Sequence, residues 1–165
     1  MRSILSVLVE NRAGVLARTA GLFARRGYNI ESLAVGETED ATVSRMTIVA
    51  QGDERIMEQV EKQLNKQIDV IKVRQLSAEN STRRELALIK VNANTKTRGQ
   101  ITDICAIMKA EVVDLSPTTL TIEIADRPER VKQLLNMVEP YGIVEIVRTG
   151  MIAMEKGSAA ISLPE

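Results

Sequence analysis

The first residues of chemical interest lie where an apolar segment gives way to a helical pattern, at residues 10–16 (ENRAGVL). Asn11 offers both a donor and an acceptor, which suits a ligand that carries an ammonium and a carboxylate group. Free backbone N–H groups at a helix start attract a carboxylate, and Gly14 lets the backbone approach closely. The alternative is that Asn11 caps the helix and Gly14 relieves a tight turn. The spacing of these residues leaves both interpretations open.

A second polar segment, residues 27–33 (GYNIESL), lies between a helical pattern and a strand pattern. Asn29 and Ile30 begin a strand that could lie at a sheet edge, where the first strand–helix loop of another chain could meet them. The alternative is that Gly27 and Asn29 are ordinary turn residues. The sequence pattern alone does not choose between the two.

Catalytic chemistry has few candidates in this chain. It contains no histidine, which excludes histidine-based hydrolases and histidine-ligated zinc. Cys105 lies on an apolar helical stripe and is predicted to be a core residue, because no basic activator is close in sequence. Glu111 and Glu145 are single carboxylates in strand-like segments and are predicted to be solvated. No phosphate-binding loop occurs. We therefore expect no catalytic residue and no metal site.

Charge and aromatic content exclude further classes. Lys+Arg and Asp+Glu both number 22, so the formal net charge is 22 − 22 = 0. The aromatic residues are only Phe23, Tyr28 and Tyr141, too few for stacking on bases. We expect no nucleic-acid partner.

No apolar run approaches the roughly 20 residues that span a bilayer, so the sequence predicts a cytoplasmic protein. Met151 and Met154 are predicted to be packing residues and not metal ligands.

The elements that must position these residues occur twice in the same order, β-α-β-β-α-β. The first set has strand patterns at 2–9, 30–36, 43–50 and 70–74, with helices from about 13 to 26 and after Asp53. The second set has strand patterns at 85–93, 111–115, 118–125 and 143–147, with helices from about 97 to 109 and after Pro128. This order predicts an α+β fold of two tandem ferredoxin-like units.

Composition predicts where one unit ends and the next begins. We expect the first domain at residues 1–76, a polar linker at 77–83, a second domain at 84–155 and a mobile tail at 156–165. Each unit carries two helices, which cover one face of its sheet. We expect pairing between chains to cover the other face.

Several motifs together resemble a known family. They are ILSVLVEN at 4–11, GVL at 14–16, GYNIESL at 27–33, SRMTI at 44–48, EKQL at 61–64, RELALIKV at 84–91 and RTG at 148–150. With nearly constant spacing over about 150 residues, they closely resemble the small regulatory subunit of acetohydroxyacid synthase, also called acetolactate synthase. The segment at 27–33 is quite specific to that family.

The resemblance implies that the first unit is an ACT domain, and that two such domains pair side by side in a homodimer with effector sites at the interface. The implied effector is a branched-chain amino acid, usually L-valine. Its implied site consists of Asn11, Ala13, Gly14, Val15 and Leu16 of one chain with Asn29 and Ile30 of the other.

The resemblance also implies a partner. This chain would bind no cofactor and would activate a catalytic large subunit, which holds thiamine diphosphate, FAD and magnesium. It would also make that enzyme sensitive to feedback inhibition in branched-chain amino acid biosynthesis. We expect the second unit to contribute to activation. A free-standing ACT-type sensor of another enzyme and a purely structural assembly module are the alternatives. One methylene changes affinity by only about 1–3 kcal/mol in such a pocket, so valine, leucine and isoleucine remain open.

Overall fold

The computed structural model describes residues 2–163, which form two compact units. The first unit comprises residues 2–82 together with 151–163, and the second comprises residues 83–150. Each unit has the predicted order of elements, so the predicted α+β class with two ferredoxin-like units is confirmed. No helix within residues 2–163 is both long and apolar enough to cross a membrane.

The first unit is a four-stranded antiparallel sheet with two helices on one face. The sheet order is β2-β3-β1-β4, which makes β2 an edge strand and β1 a central one. The elements are β1 (Arg2–Glu10), α1 (Val15–Arg25), β2 (Ile30–Glu37), β3 (Val43–Gln51), α2 (Glu54–Leu64) and β4 (Val70–Leu76).

Alternation along the strands builds the core of the first unit. Leu5, Val7 and Val9 of β1 face the helices and are almost completely buried, as expected for a central strand with an apolar face. Asp53 caps α2, because its carboxylate accepts the Ile56 N–H at 2.8 Å. The start of this helix after Asp53 agrees with the predicted order of elements.

The second face of the first sheet is covered by the chain's own C-terminal segment, residues 151–163. A short strand, β9 (Ile152–Glu155), lies in this segment. Five side chains form a separate apolar cluster here, namely Ile4, Val49, Leu76, Met151 and Ala153. The sequence predicts a partner chain on this face. Within the described residues of the first unit, the C-terminal segment takes that place.

The division of the chain therefore differs from the domain boundaries read from composition. Residues 81–83, predicted as linker, lie inside strand β5 (Ser81–Asn92). Residues 151–155, predicted to end the second domain, belong to the first unit. Part of the predicted mobile tail contacts β4, because Lys72 Nζ donates to the Ser162 carbonyl at 3.1 Å and Arg74 Nη1 to that of Ala160 at 3.0 Å. Polar composition alone does not show these long-range bonds.

The second unit repeats the architecture with sheet order β6-β7-β5-β8. Beside β5 its elements are α3 (Arg98–Met108), β6 (Glu111–Leu115), β7 (Thr119–Asp126), α4 (Pro128–Val138), a 3-10 helix (Glu139–Tyr141) and β8 (Ile143–Arg148). Leu120, Ile122 and Ile124 of β7 are buried against the helices. Both edge strands, β6 and β8, are exposed along their whole length.

Candidate functional site

A glycine with a positive φ forms the junction between β1 and α1. Gly14 precedes the first turn of α1 in the left-handed conformation, with φ of +84°, which a residue with a side chain rarely adopts. Within residues 2–163 no side chain caps the start of this helix. The Val15 N–H donates to the Arg12 carbonyl at 3.3 Å. The N–H groups of Leu16 and Ala17 precede the first bond along the helix, from the Arg18 N–H to the Gly14 carbonyl, and carry the partial positive charge of the helix end.

Asn11 does not cap the helix, so this half of the alternative is wrong, whereas the positive φ of Gly14 fits the tight turn that the other half predicted. Its Nδ2 donates to Glu37 Oε1 at 3.1 Å and to the Ala41 carbonyl at 2.9 Å, and its backbone N–H donates to the Thr42 carbonyl at 2.7 Å. These bonds tie the loop to the end of β2 and to the turn that follows it. Both side-chain bonds use the amide nitrogen, which leaves the carbonyl oxygen for a ligand's donor.

The turn that receives Asn11 is itself ordered by Asp40. The Asp40 carboxylate accepts the side-chain O–H of Thr42 at 2.6 Å and its backbone N–H at 2.9 Å. These two hydrogen bonds, the side-chain one first, hold the pKa of Asp40 below its ordinary value of 3.8. The carboxylate is thus ionised at neutral pH, and the turn keeps its acceptor.

The buried carboxylate of Asp69 links the segments that meet at the junction between β1 and α1. The side chain of Asp69 is only 6% exposed and pairs with Arg18 Nε at 2.7 Å and with Arg12 Nη2 at 3.3 Å. Its backbone carbonyl accepts the Glu10 N–H at 2.9 Å. Asp69 therefore joins the end of β1, the loop and the first turn of α1. No sequence motif points to Asp69 or Arg18.

The remaining predicted residues of this loop differ in exposure. Ala13 is exposed, and Leu16 is 46% exposed. Val15 is 2% exposed and packs in the core. Leu16 can therefore contact an aliphatic ligand with its side chain, whereas the buried side chain of Val15 cannot.

Asn29 and Ile30 lie at the opposite end of the sheet. Ile30 pairs with Ala50 of β3, whereas Glu37, which accepts from Asn11, pairs with Ser44. The two pairs are 50 − 44 = 6 residues apart on β3, which is about 20 Å at roughly 3.3 Å per residue. One chain therefore does not bring the two halves of the predicted site together.

The second unit offers little chemistry. Cys105 is buried in its core, and this burial raises the pKa of the thiol. Glu111 and Glu145 are exposed on the edge strands, as predicted. Glu85 and Arg148 form a two-point ion pair at 2.6 and 2.8 Å, whose hydrogen bonds raise the pKa of Arg148. Within residues 2–163, no group of three or more His, Cys, Asp or Glu side chains could hold a metal ion.

The fold and the glycine-marked junction define the class of the first unit, which is an ACT domain. Residues 5–72 match the family model described as "AHAS small subunit-like ACT domain", and residues 84–157 match the model "Small subunit of acetolactate synthase". The chain belongs to the family of acetolactate synthase small subunits.

Individual relatives support this membership. The chain is 52% identical over 157 residues to the acetolactate synthase small subunit of Mycolicibacterium smegmatis, covering 95% of this chain and 92% of that one. It is 49% identical to the probable acetolactate synthase small subunit of Archaeoglobus fulgidus, covering 96% and 99%. The crystal structure of the small subunit from Thermotoga maritima superposes with a TM-score of 0.90 at 37% identity, covering 96% and 99%. The family named in the sequence analysis is thus confirmed.

Proposed function

We propose that this chain is a non-catalytic regulatory subunit that binds L-valine, or another branched-chain amino acid, between two ACT domains. In this proposal it activates the catalytic large subunit of acetolactate synthase, and the bound amino acid lowers the activity of the complex. Thiamine diphosphate, FAD and magnesium belong to the catalytic partner. Membership of the small-subunit family supports the regulatory role.

The observation that carries the effector site is the position of β2. It is an edge strand, so one side of its backbone is available to a second copy of the chain. If two β2 strands pair antiparallel about a two-fold axis near their middle, Ile30 of one chain lies opposite Glu37 of the other. Glu37 accepts from Asn11. This pairing brings Asn29 and Ile30 to the partner's first loop, although they lie at opposite ends of one sheet.

The chemistry of the assembled site fits an α-amino acid. The carboxylate takes the N-terminal turn of α1 beside Gly14, where it accepts from the N–H groups of Leu16 and Ala17. The carbonyl oxygen of Asn11 accepts from the ammonium group. The side chains of Leu16 and Ile30 contact the aliphatic part. Val15 and Ala13 shape the loop without adding a large exposed side chain.

Inhibition requires that the amino acid bind one arrangement of the complex more tightly than another. Coupling energies of about 1–3 kcal/mol, a change of roughly 5- to 150-fold, are typical. Because the ligand groups come from two chains, the β2–β2 contact is the element that we expect to shift. A ligand bound by one chain alone would not contact the β2–β2 interface and would not shift it in this way.

Calorimetric titration with L-valine, L-leucine and L-isoleucine tests the proposal, with D-valine as the stereochemical control. We expect about one L-valine site per chain and at least tenfold weaker binding by Gly14→Asp. An aspartate there repels the ligand's carboxylate, and its Cβ would lie 2.8 Å from Arg18 Nη1. Gly157→Asp is the matched control, because Gly157 also has a positive φ, +71°, but lies in open space.

The same variants are then combined with the catalytic subunit. Gly14→Asp should still activate that subunit and lose inhibition by valine, whereas Gly157→Asp should retain both properties. If Gly14→Asp stays fully sensitive to valine, the site assignment is wrong. If the wild-type chain binds no amino acid either alone or in the complex, the effector role is wrong.

A further inference from the structure

The chain passes between its two units twice, and neither passage runs through a flexible linker. The first passage, between residues 82 and 83, lies inside the continuous strand β5. The second lies between residues 150 and 151. Short ordered connections transmit a displacement that a long flexible linker would absorb.

The second passage is fixed within one residue on either side of Gly150. On the side of the second unit, the Thr149 N–H donates to the Leu86 carbonyl at 3.0 Å, and the Leu86 N–H donates to Thr149 Oγ1 at 3.1 Å. On the side of the first unit, the Met151 N–H donates to Ser32 Oγ at 2.9 Å. Gly150 itself has φ of +82°, so the chain turns sharply at this residue.

Residues beyond Met151 hold this side of the passage in place. Arg45 Nη2 donates to the Ala153 carbonyl at 2.8 Å, and Arg74 forms an ion pair with Glu155. The side chains of Met151 and Ala153 pack in the apolar cluster on the second face of the first sheet. The end of the passage is therefore attached to β2, β3 and β4 together.

Ser32 occupies a special position in β2. It follows Ile30 by two residues, and the register of β2 against β3 shifts between these two positions, with Glu31 as the extra residue. Such a bulge bends a strand locally and redirects its side chains. The strand that carries the proposed effector residues thus has an irregular point next to the serine that holds Met151.

We infer that the hydrogen bond between Ser32 and Met151 transmits the state of the effector site from β2 to the second unit. This inference rests on the proposed function, because it supposes that effector binding shifts β2. A shift of β2 moves Ser32, and Ser32 moves Met151 through their hydrogen bond. The short link through Gly150 then transmits this movement to Thr149 of the second unit. Ser32 is a coupling residue here and is not one of the proposed effector-site residues.

The test separates binding from inhibition in the complex with the catalytic subunit. For Ser32→Ala we expect a dissociation constant for L-valine within twofold of the wild-type value and full activation without valine. We expect inhibition at saturating valine to fall at least twofold. Ser32→Thr keeps the hydroxyl and should restore inhibition. Ser3→Ala is the matched control, because within residues 2–163 this buried serine hydroxyl has no hydrogen-bond partner.

A second variant loosens the link without removing any side chain. Insertion of two glycines after Gly150 should reproduce the loss of inhibition with unchanged valine binding. Full inhibition in both Ser32→Ala and the insertion variant would overturn the inference and leave the proposed function standing. A loss of binding equal to the loss of inhibition would also overturn it. If the wild-type chain neither binds valine nor responds to it, the inference and the proposed function fall together.

Discussion

Asp69 joins parts of the chain that are far apart in sequence. It pairs with Arg12 across 57 positions and with Arg18 across 51. No local pattern predicts such pairs, because ion pairing over these separations depends on the folded path of β1 and β4. Asp69 therefore has to be found in the structure, although it lies directly behind the loop that the sequence singled out.

We expect Asp69→Asn to weaken L-valine binding about tenfold, because the loop and the first turn of α1 lose their common anchor. Hydrogen bonds to charged groups contribute about 1.5–3 kcal/mol each. Both arginines are more than half exposed, so we expect a loss of about 1–3 kcal/mol in the free energy of unfolding.

Calorimetry and urea denaturation measure the two effects of Asp69→Asn. Glu58→Gln, which removes an exposed ion pair with Lys62 on α2, is the control and should change neither. Unchanged valine affinity in Asp69→Asn would show that the anchor does not position the loop.

At the same scale, the sequence predicts some properties of the site residues and misses others. The turn at Gly14 could be predicted, because a glycine between a strand and a helix favours a positive φ. The bonds of Asn11 to the β2–β3 turn could not, because an asparagine before a helix pattern usually reads as a cap. The burial of the Val15 side chain could not be predicted either, because helical phase decides which side chain points inward.

Among the elements, the eight strands and four helices of the two repeats follow directly from hydrophobic period. The exception is the C-terminal segment. Its strand β9 has only four residues, too few for a reliable period. Met151 is buried in the first unit while Met154 is 57% exposed, so the two methionines differ although their surroundings in sequence look alike. Composition gave no sign of the sheet on which this segment lies.

Truncation of the chain after Gly150 should destabilise the first unit. It uncovers Ile4, Val49 and Leu76, which are at most 6% exposed in the complete chain. Full burial of such side chains contributes about 1.5–3 kcal/mol each, and partial exposure of three predicts a loss on the order of 3 kcal/mol. The new apolar patch should also promote self-association.

Urea denaturation and analytical ultracentrifugation measure these two effects of truncation. A chain that ends after Lys156 keeps β9 and the ion pair between Arg74 and Glu155, so it should stay close to full length in both assays. Equal stability of the two truncated chains would show that residues 151–156 contribute nothing to the first unit.

On the scale of the whole molecule, the second unit is an insertion within the first, because the chain returns to its starting unit at Met151. The family model for the second half reaches residue 157 and so includes part of this return. The two units share a topology but differ at their edges. In the second unit Val112, Leu115, Val144 and Val147 remain exposed on both edge strands. Exposed apolar edges are typical of surfaces that contact a partner.

This difference leads to our last prediction, that the second unit is needed to activate the catalytic subunit. A chain that ends near Ser81 would be a poor test, because it also lacks the cover of the first sheet. A sharper variant joins residues 1–82 to 151–165 through a short glycine-serine linker, and retention of L-valine binding shows that its first unit is folded. We expect this variant to activate the catalytic subunit to less than a tenth of the full-length level.

Point variants test the same prediction in the full-length chain. Val147→Glu should lower activation while valine binding stays unchanged. Lys109→Glu, which is also in the second unit but lies at the end of α3, is the control and should leave activation unchanged. Full activation by the joined variant would place the activating surface on the first unit.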